Sequence, residues 1–102
     1  MLHGSFDQCW TAIKPNLVRG QVVTHWSQSG RARGAFNVLE VGADSIRVLL
    51  KNGSARNVLK SDFEYMFDRW PDYTTGKKRR DEVNRSQNST YTISILRWVS
   101  GI

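Results

Sequence analysis

The stretch Ile46-Arg47-Val48-Leu49-Leu50-Lys51-Asn52-Gly53-Ser54-Ala55-Arg56-Asn57-Val58-Leu59-Lys60 decides how this chain reads. Two runs rich in aliphatic residues, Ile46 to Lys51 and Ala55 to Lys60, flank Asn52-Gly53. Both of those residues tolerate positive φ, so the pair signals a two-residue β-hairpin. Upstream, Ala35-Phe36-Asn37-Val38-Leu39-Glu40-Val41 alternates with Phe36, Val38 and either Val41 or Leu39 able to face inward, and Gly42-Ala43-Asp44 makes the next turn. Before it, Val18 to Trp26 is β-branched and ends at the turn cluster Ser27-Gln28-Ser29-Gly30. Four strands joined by short turns predict an antiparallel meander. So small a sheet hides its edges by curling into a barrel or by lying under helices.

The flanks read as helices. Ser5-Phe6-Asp7-Gln8 is a capping box, in which the Ser hydroxyl accepts from the third amide while Gln reaches back. Phe6, Trp10 and Ile13 follow at helical spacing, and Lys14-Pro15 predicts the stop of a helix near residues 6–14. Ser61-Asp62-Phe63-Glu64 is a second capping box. Phe63, Met66, Phe67 and Trp70 share a face, Pro71 ends the run, and Asp72 to Gly76 reads as a turn. Ser89 to Val99 fits two periods. Tyr91, Ile93 and Ile95 alternate as in a strand, while Tyr91, Ile95, Trp98 and Val99 form a helical stripe. With Asn88-Ser89 as cap, the reading is a helix. The expected class is α+β: a small twisted antiparallel sheet or barrel over residues 17–60, flanked by an N-terminal helix and one or two C-terminal helices, in one domain, 1–102.

Composition narrows the function classes. The 102 residues are 39% hydrophobic and 24% charged with two prolines, a globular balance rather than a disordered one. Cys9 is the single cysteine, which excludes an internal disulfide and a cysteine-based metal site; beside Trp10 it reads as a small buried hydrophobe. Apolar runs such as Val48-Leu49-Leu50 are far too short to span a bilayer, and no basic-then-apolar leader opens the chain, so the expectation is a cytoplasmic protein.

No catalytic constellation appears. His3 and His25 are the two histidines, and no sequence pattern supplies His25 with a partner for general-base work. Neither metal-ligand spacing, a phosphate loop nor a dinucleotide glycine fingerprint is present. The acids Asp62, Glu64, Asp68 and Asp72 are those of a solvated helix whose first turn complements the helix dipole, rather than a magnesium cluster. The expectation is therefore no enzyme, no cofactor and no metal.

The charge distribution says more. The net charge is +6: residues 1–30 carry +1, residues 31–60 carry +4, residues 61–75 carry −3 and residues 76–102 carry +4. Arg31 and Arg33 fall at the expected tip of the first hairpin, after Trp26 and the Ser-Gln-Ser-Gly turn. Lys77-Lys78-Arg79-Arg80, with Arg85 behind, is the densest charge in the chain. Adjacent cations repel, and a polyanion relieves that cost through counterion release. These residues are the expected phosphate contacts. Tyr73, between Pro71 and Gly76, is the expected exposed stacking platform; Trp26, Tyr91 and Trp98 are further aromatic candidates, the last two read as core. The leading expectation is a non-enzymatic DNA- or RNA-binding or accessory module. The alternatives are a protein-interaction module, such as a homodimer on an exposed sheet edge, and a small-molecule binder at a barrel mouth near His25 and Trp26.

The positions Ser61-Asp62-Phe63-Glu64, Trp70-Pro71-Asp72-Tyr73, Gly76, Arg79-Arg80 and Asn88-Ser89-Thr90-Tyr91 give roughly the last forty residues a resemblance to a C-terminal module of small uncharacterised bacterial proteins, including those of mobile gene cassettes such as integron cassettes. That resemblance implies bacterial origin and a small domain, and no site residues. The meander is similar, as an analogy of fold, to a Src-homology-3-like small barrel, which settles no function.

Overall fold

The computed structural model describes residues 4–27, 30–76 and 88–100; at residue 27 and residues 30–33 it describes the main chain alone. Helix α1 (Phe6–Asn16) precedes strands β1 (Val22–Ser27), β2 (Gly30–Val41), β3 (Ser45–Leu49) and β4 (Ala55–Leu59), and helices α2 (Lys60–Thr74) and α3 (Ser89–Ser100) follow. The strands form an antiparallel meander in the order β1-β2-β3-β4. The sheet is open, so the covered-sheet form of the expectation is the one adopted and the barrel is not.

Alternation sorts the two faces. Val23, Phe36, Val38, Ile46, Val48 and Val58 are buried, while Thr24, Asn37, Arg47 and Asn57 between them are exposed. The buried set meets Phe6, Cys9 and Ile13 of α1, Phe63, Met66, Trp70 and Tyr73 of α2, and Ile93, Ile95 and Leu96 of α3 in one core. Residues 89–100 are helical because α3 lies among β1 and the other helices, where a helix closes its own backbone hydrogen bonds. Register breaks once between Thr24 and Trp26 on β1, and once between Val38 and Glu40 on β2, where Leu39 is the extra residue of a bulge.

Side chains of Ser94, Asn88 and Asp62 each engage a group on a sheet edge. The Trp26 N–H of β1 donates to Ser94 Oγ of α3 at 3.2 Å. On β4 the Asn57 carbonyl accepts from Asn88 Nδ2 at 3.2 Å, and the Leu59 N–H donates to Asp62 Oδ2 at 3.3 Å.

Four local expectations need correction. The hairpin at Asn52-Gly53 has a three-residue loop, Lys51-Asn52-Gly53, because Leu50 N–H pairs with Ser54 O; Gly53 alone takes a positive φ, +88°, and its N–H donates to Leu50 O. Helix α1 runs through Pro15 to Asn16, whose Nδ2 donates to the Ala12 carbonyl at 2.8 Å and holds the last turn. Helix α2 begins one residue before Ser61, with Leu59 at the N-cap and Asp62, not Ser61, supplying the cap bond. Pro71 does not end α2, which continues to Thr74. The hydroxyl of Thr74 donates to Trp70 O at 2.9 Å and that of Thr75 to Pro71 O at 2.7 Å. That extra turn carries Tyr73 into the core, which offsets the amide that proline lacks.

Candidate nucleic-acid interface

Trp26 stands one residue before the end of β1, and its main chain pairs with Arg31, the second residue of β2. The Trp26 ring lies 6.0 Å from that of Trp70 and 6.1 Å from that of Tyr73, centroid to centroid, and these two belong to the last turns of α2. Arg97 of α3 places its guanidinium carbon 5.4 Å from the Trp26 centroid. Trp26, Trp70, Thr74, Arg97 and Ser100 line an open recess of about 350 Å³. The hairpin that bears Arg31 and Arg33 and the helix end that leads toward Lys77 are therefore rooted in one aromatic cluster.

A second recess, of about 420 Å³, opens beside His25 between the end of the sheet and the first turn of α3. Its aromatic wall is a trio: His25 to Phe36 at 5.2 Å, His25 to Tyr91 at 5.8 Å, and Phe36 to Tyr91 at 5.2 Å and 88°, an edge-to-face pair. Gly34 completes the wall where a Cβ would stand 3.3 Å from the imidazole, and its φ is +92°. Lys51 and Asn52 of the β3–β4 loop form the rim. The Arg56 guanidinium carbon is 5.9 Å from the Tyr91 centroid.

Cations on rings recur across the molecule. Lys60 Nζ lies 5.8 Å from the Trp10 centroid and the Arg69 guanidinium 3.6 Å from that of Tyr65. With Arg56 and Arg97 that makes four such contacts among the described residues, where about one per 70–80 residues is usual. The described side chains include eight of the fifteen Lys and Arg and seven of the nine Asp and Glu, a net +1, which leaves +5 on residues 31, 33 and 77–85. The described body is close to neutral, and the basic excess sits in the two segments rooted at the Trp26 cluster.

The expected site residues fall out as follows. Arg31 and Arg33 lie within β2 rather than in a loop, because the ladder continues to Ser27 opposite Gly30; their side chains are outside the described set. Lys77, Lys78, Arg79, Arg80 and Arg85 lie outside the described residues altogether. Tyr73 is not an exposed platform. It has no exposed surface, because the extra helical turn after Pro71 swings it inward against Trp26 and Trp70. Trp26 and Tyr91 are half-buried beside recesses, and the Trp98 indole N–H donates to Asn16 O at 3.1 Å while its ring packs on the core.

Sequence reading passed over Lys51, Arg56 and Arg97. The signal for Arg56 was present: it shares strand parity with buried Val58, which turns it to the helix side. Asp62 is engaged with Leu59 and Asn88, and Glu64 and Asp68 are exposed on α2. Among the described residues no group of three His, Cys, Asp or Glu is placed to hold a metal ion, and no helix is long and apolar enough to cross a membrane. No protein-family description, curated protein or solved structure matches the chain. The cassette-protein resemblance thus rests on the quoted residues alone.

Proposed function

We propose that this chain is a non-enzymatic, cytoplasmic nucleic-acid-binding module in which two basic chain segments grip phosphates. One observation carries the reading: Trp26, paired with Arg31, touches Trp70 and Tyr73 of the helix end that leads to Lys77. Cations scattered over a surface would make an ordinary solvated protein, whereas cations rooted at one place make a concentrated positive field. Arg97, seated on the Trp26 ring, adds a described guanidinium at the same place.

The test is fluorescence anisotropy with labelled single- and double-stranded DNA and RNA at two salt concentrations. It runs beside two variants, one with Lys77, Lys78, Arg79 and Arg80 replaced by Ser and one with Arg31→Ser and Arg33→Ser. Salt-sensitive binding that weakens in both variants supports the reading, with each lost phosphate contact shallowing the log–log salt slope by about 0.7–0.9. No binding at low salt overturns it.

A second reading, association with protein, has its own observation. Among the described residues no helix covers the outer face of the sheet, and Val22 and Leu59 are each 51% exposed. The sheet edge is the weaker route to a homodimer, since Ser94, Asn88 and Asp62 engage edge groups of β1 and β4. A concentration-dependent dimer in light scattering, with no nucleic-acid affinity, would favour the outer face.

A further inference from the structure

Several recesses open on this molecule, and their linings differ in chemistry. The one between α1 and α2 brings Asp7, Asp44 and Glu64 to its wall, which repels an anion. The one under Val18 and Leu39 carries Glu40 and no ring. The recess at Trp26 is rich in indole, but Arg97 lies against that ring. The His25 recess has an aromatic wall of His25, Phe36 and Tyr91, Lys51 in its lining with Arg56 beside Tyr91, and no carboxylate. The Trp26 recess shares rings, a cation and the lack of a carboxylate but is smaller, about 350 against 420 Å³.

We infer that this recess accepts one unstacked nucleobase of a single strand, with Lys51 and Arg56 meeting the phosphate beside it; this rests on the nucleic-acid reading. Its volume of about 420 Å³ falls within the range of small-molecule pockets, roughly 300–1,000 Å³. Rings receive bases without regard to sequence, because every base has a π-face. Gly34 is the residue that keeps the wall open, since any side chain there meets the imidazole. A base inside a duplex is paired and stacked and cannot enter, so the recess predicts preference for single strands.

The experiment compares a short labelled oligonucleotide with an abasic strand of the same length, keeping every phosphate, and with the matching duplex, all by anisotropy. The expected result is binding of the base-bearing strand about 5- to 140-fold tighter than the abasic one. Tyr91→Leu, which keeps apolar volume but removes one ring of the wall, should reduce the preference for the base-bearing over the abasic strand. If Tyr91→Leu fails to fold, the abasic comparison on the unaltered chain and the exposed Lys51→Glu variant carry the test. Equal binding of base-bearing and abasic strands overturns this inference and leaves the nucleic-acid reading standing. Binding of a free nucleoside monophosphate with no strand advantage also overturns it, since the recess would then be a mononucleotide site. Absence of binding to any strand or duplex overturns the nucleic-acid reading and this inference with it.

Discussion

The backbone N–H of Trp26 and the hydroxyl of Ser94 are 68 residues apart in sequence and 3.2 Å apart in the fold. This one bond fastens the end of an edge strand to the last helix, and it holds Trp26 where Trp70, Tyr73 and Arg97 converge. Ser94 Oγ also donates to the Thr90 carbonyl at 2.8 Å, so the hydroxyl is oriented before it accepts.

Ser94→Ala removes that acceptor and leaves a part-buried amide at the end of β1. The expected cost is about 1–3 kcal/mol of stability, read as a lower denaturant midpoint with an unchanged slope. A change in slope would mean that the edge strand has come away in the denatured or native ensemble instead.

Tyr73→Ala is expected to cost about 3–5 kcal/mol, the range for large aromatic truncations in a core. Chemical denaturation with circular dichroism measures it. A Tyr73 acting as a surface stacking platform would give nearly unchanged stability and a selective loss of nucleic-acid affinity, and that result would contradict its burial.

Gly34→Ala meets two penalties, a φ of +92° and a Cβ 3.3 Å from His25 Cδ2. A loss of about 1 kcal/mol or more is expected. Gly53→Ala, with φ +88° and nothing within 4 Å, shows the backbone penalty alone. Equal midpoints for the two variants would show that the His25 wall yields to the extra methyl group.

Burial raises the Cys9 thiol above its ordinary range, so it stays protonated and unreactive near neutral pH. Alkylation of the folded protein is expected to be slow, and fast once denaturant is added. Because the folded-state value is the raised one, the stability it reflects is present below the thiol's unfolded pKa. It is lost as pH rises through the folded value. Rapid labelling of the native protein at neutral pH would show that the thiol is not enclosed by α1 and its neighbours.

Strand parity and helical spacing made the secondary elements legible. Phe36, Val38, Val48 and Val58 alternate with polar residues, and Phe63, Met66 and Trp70 fall on one helical face, so local chemistry alone placed four strands and the helices around them. The local errors came at the Asn52-Gly53 hairpin, Pro15, Pro71 and the Ser61 cap. Local rules stop helices at proline, but a buried Tyr73 and the hydroxyls of Thr74 and Thr75 carry α2 onward. No local rule contains that balance.

What the sequence determined by itself was composition, charge placement and the alternation that gives each element one buried face, because these depend on residues within a few positions of one another. What only tertiary structure decided was closure and convergence. The edges of the open sheet are engaged by Ser94 and Asn88, which are distant in sequence from the groups they meet. The basic segments share a root because Trp26 meets the end of α2, and the His25 recess exists because α3 brings Tyr91 over Phe36. Such contacts join residues whose proximity is set by packing of whole faces, a quantity that no short window of sequence holds.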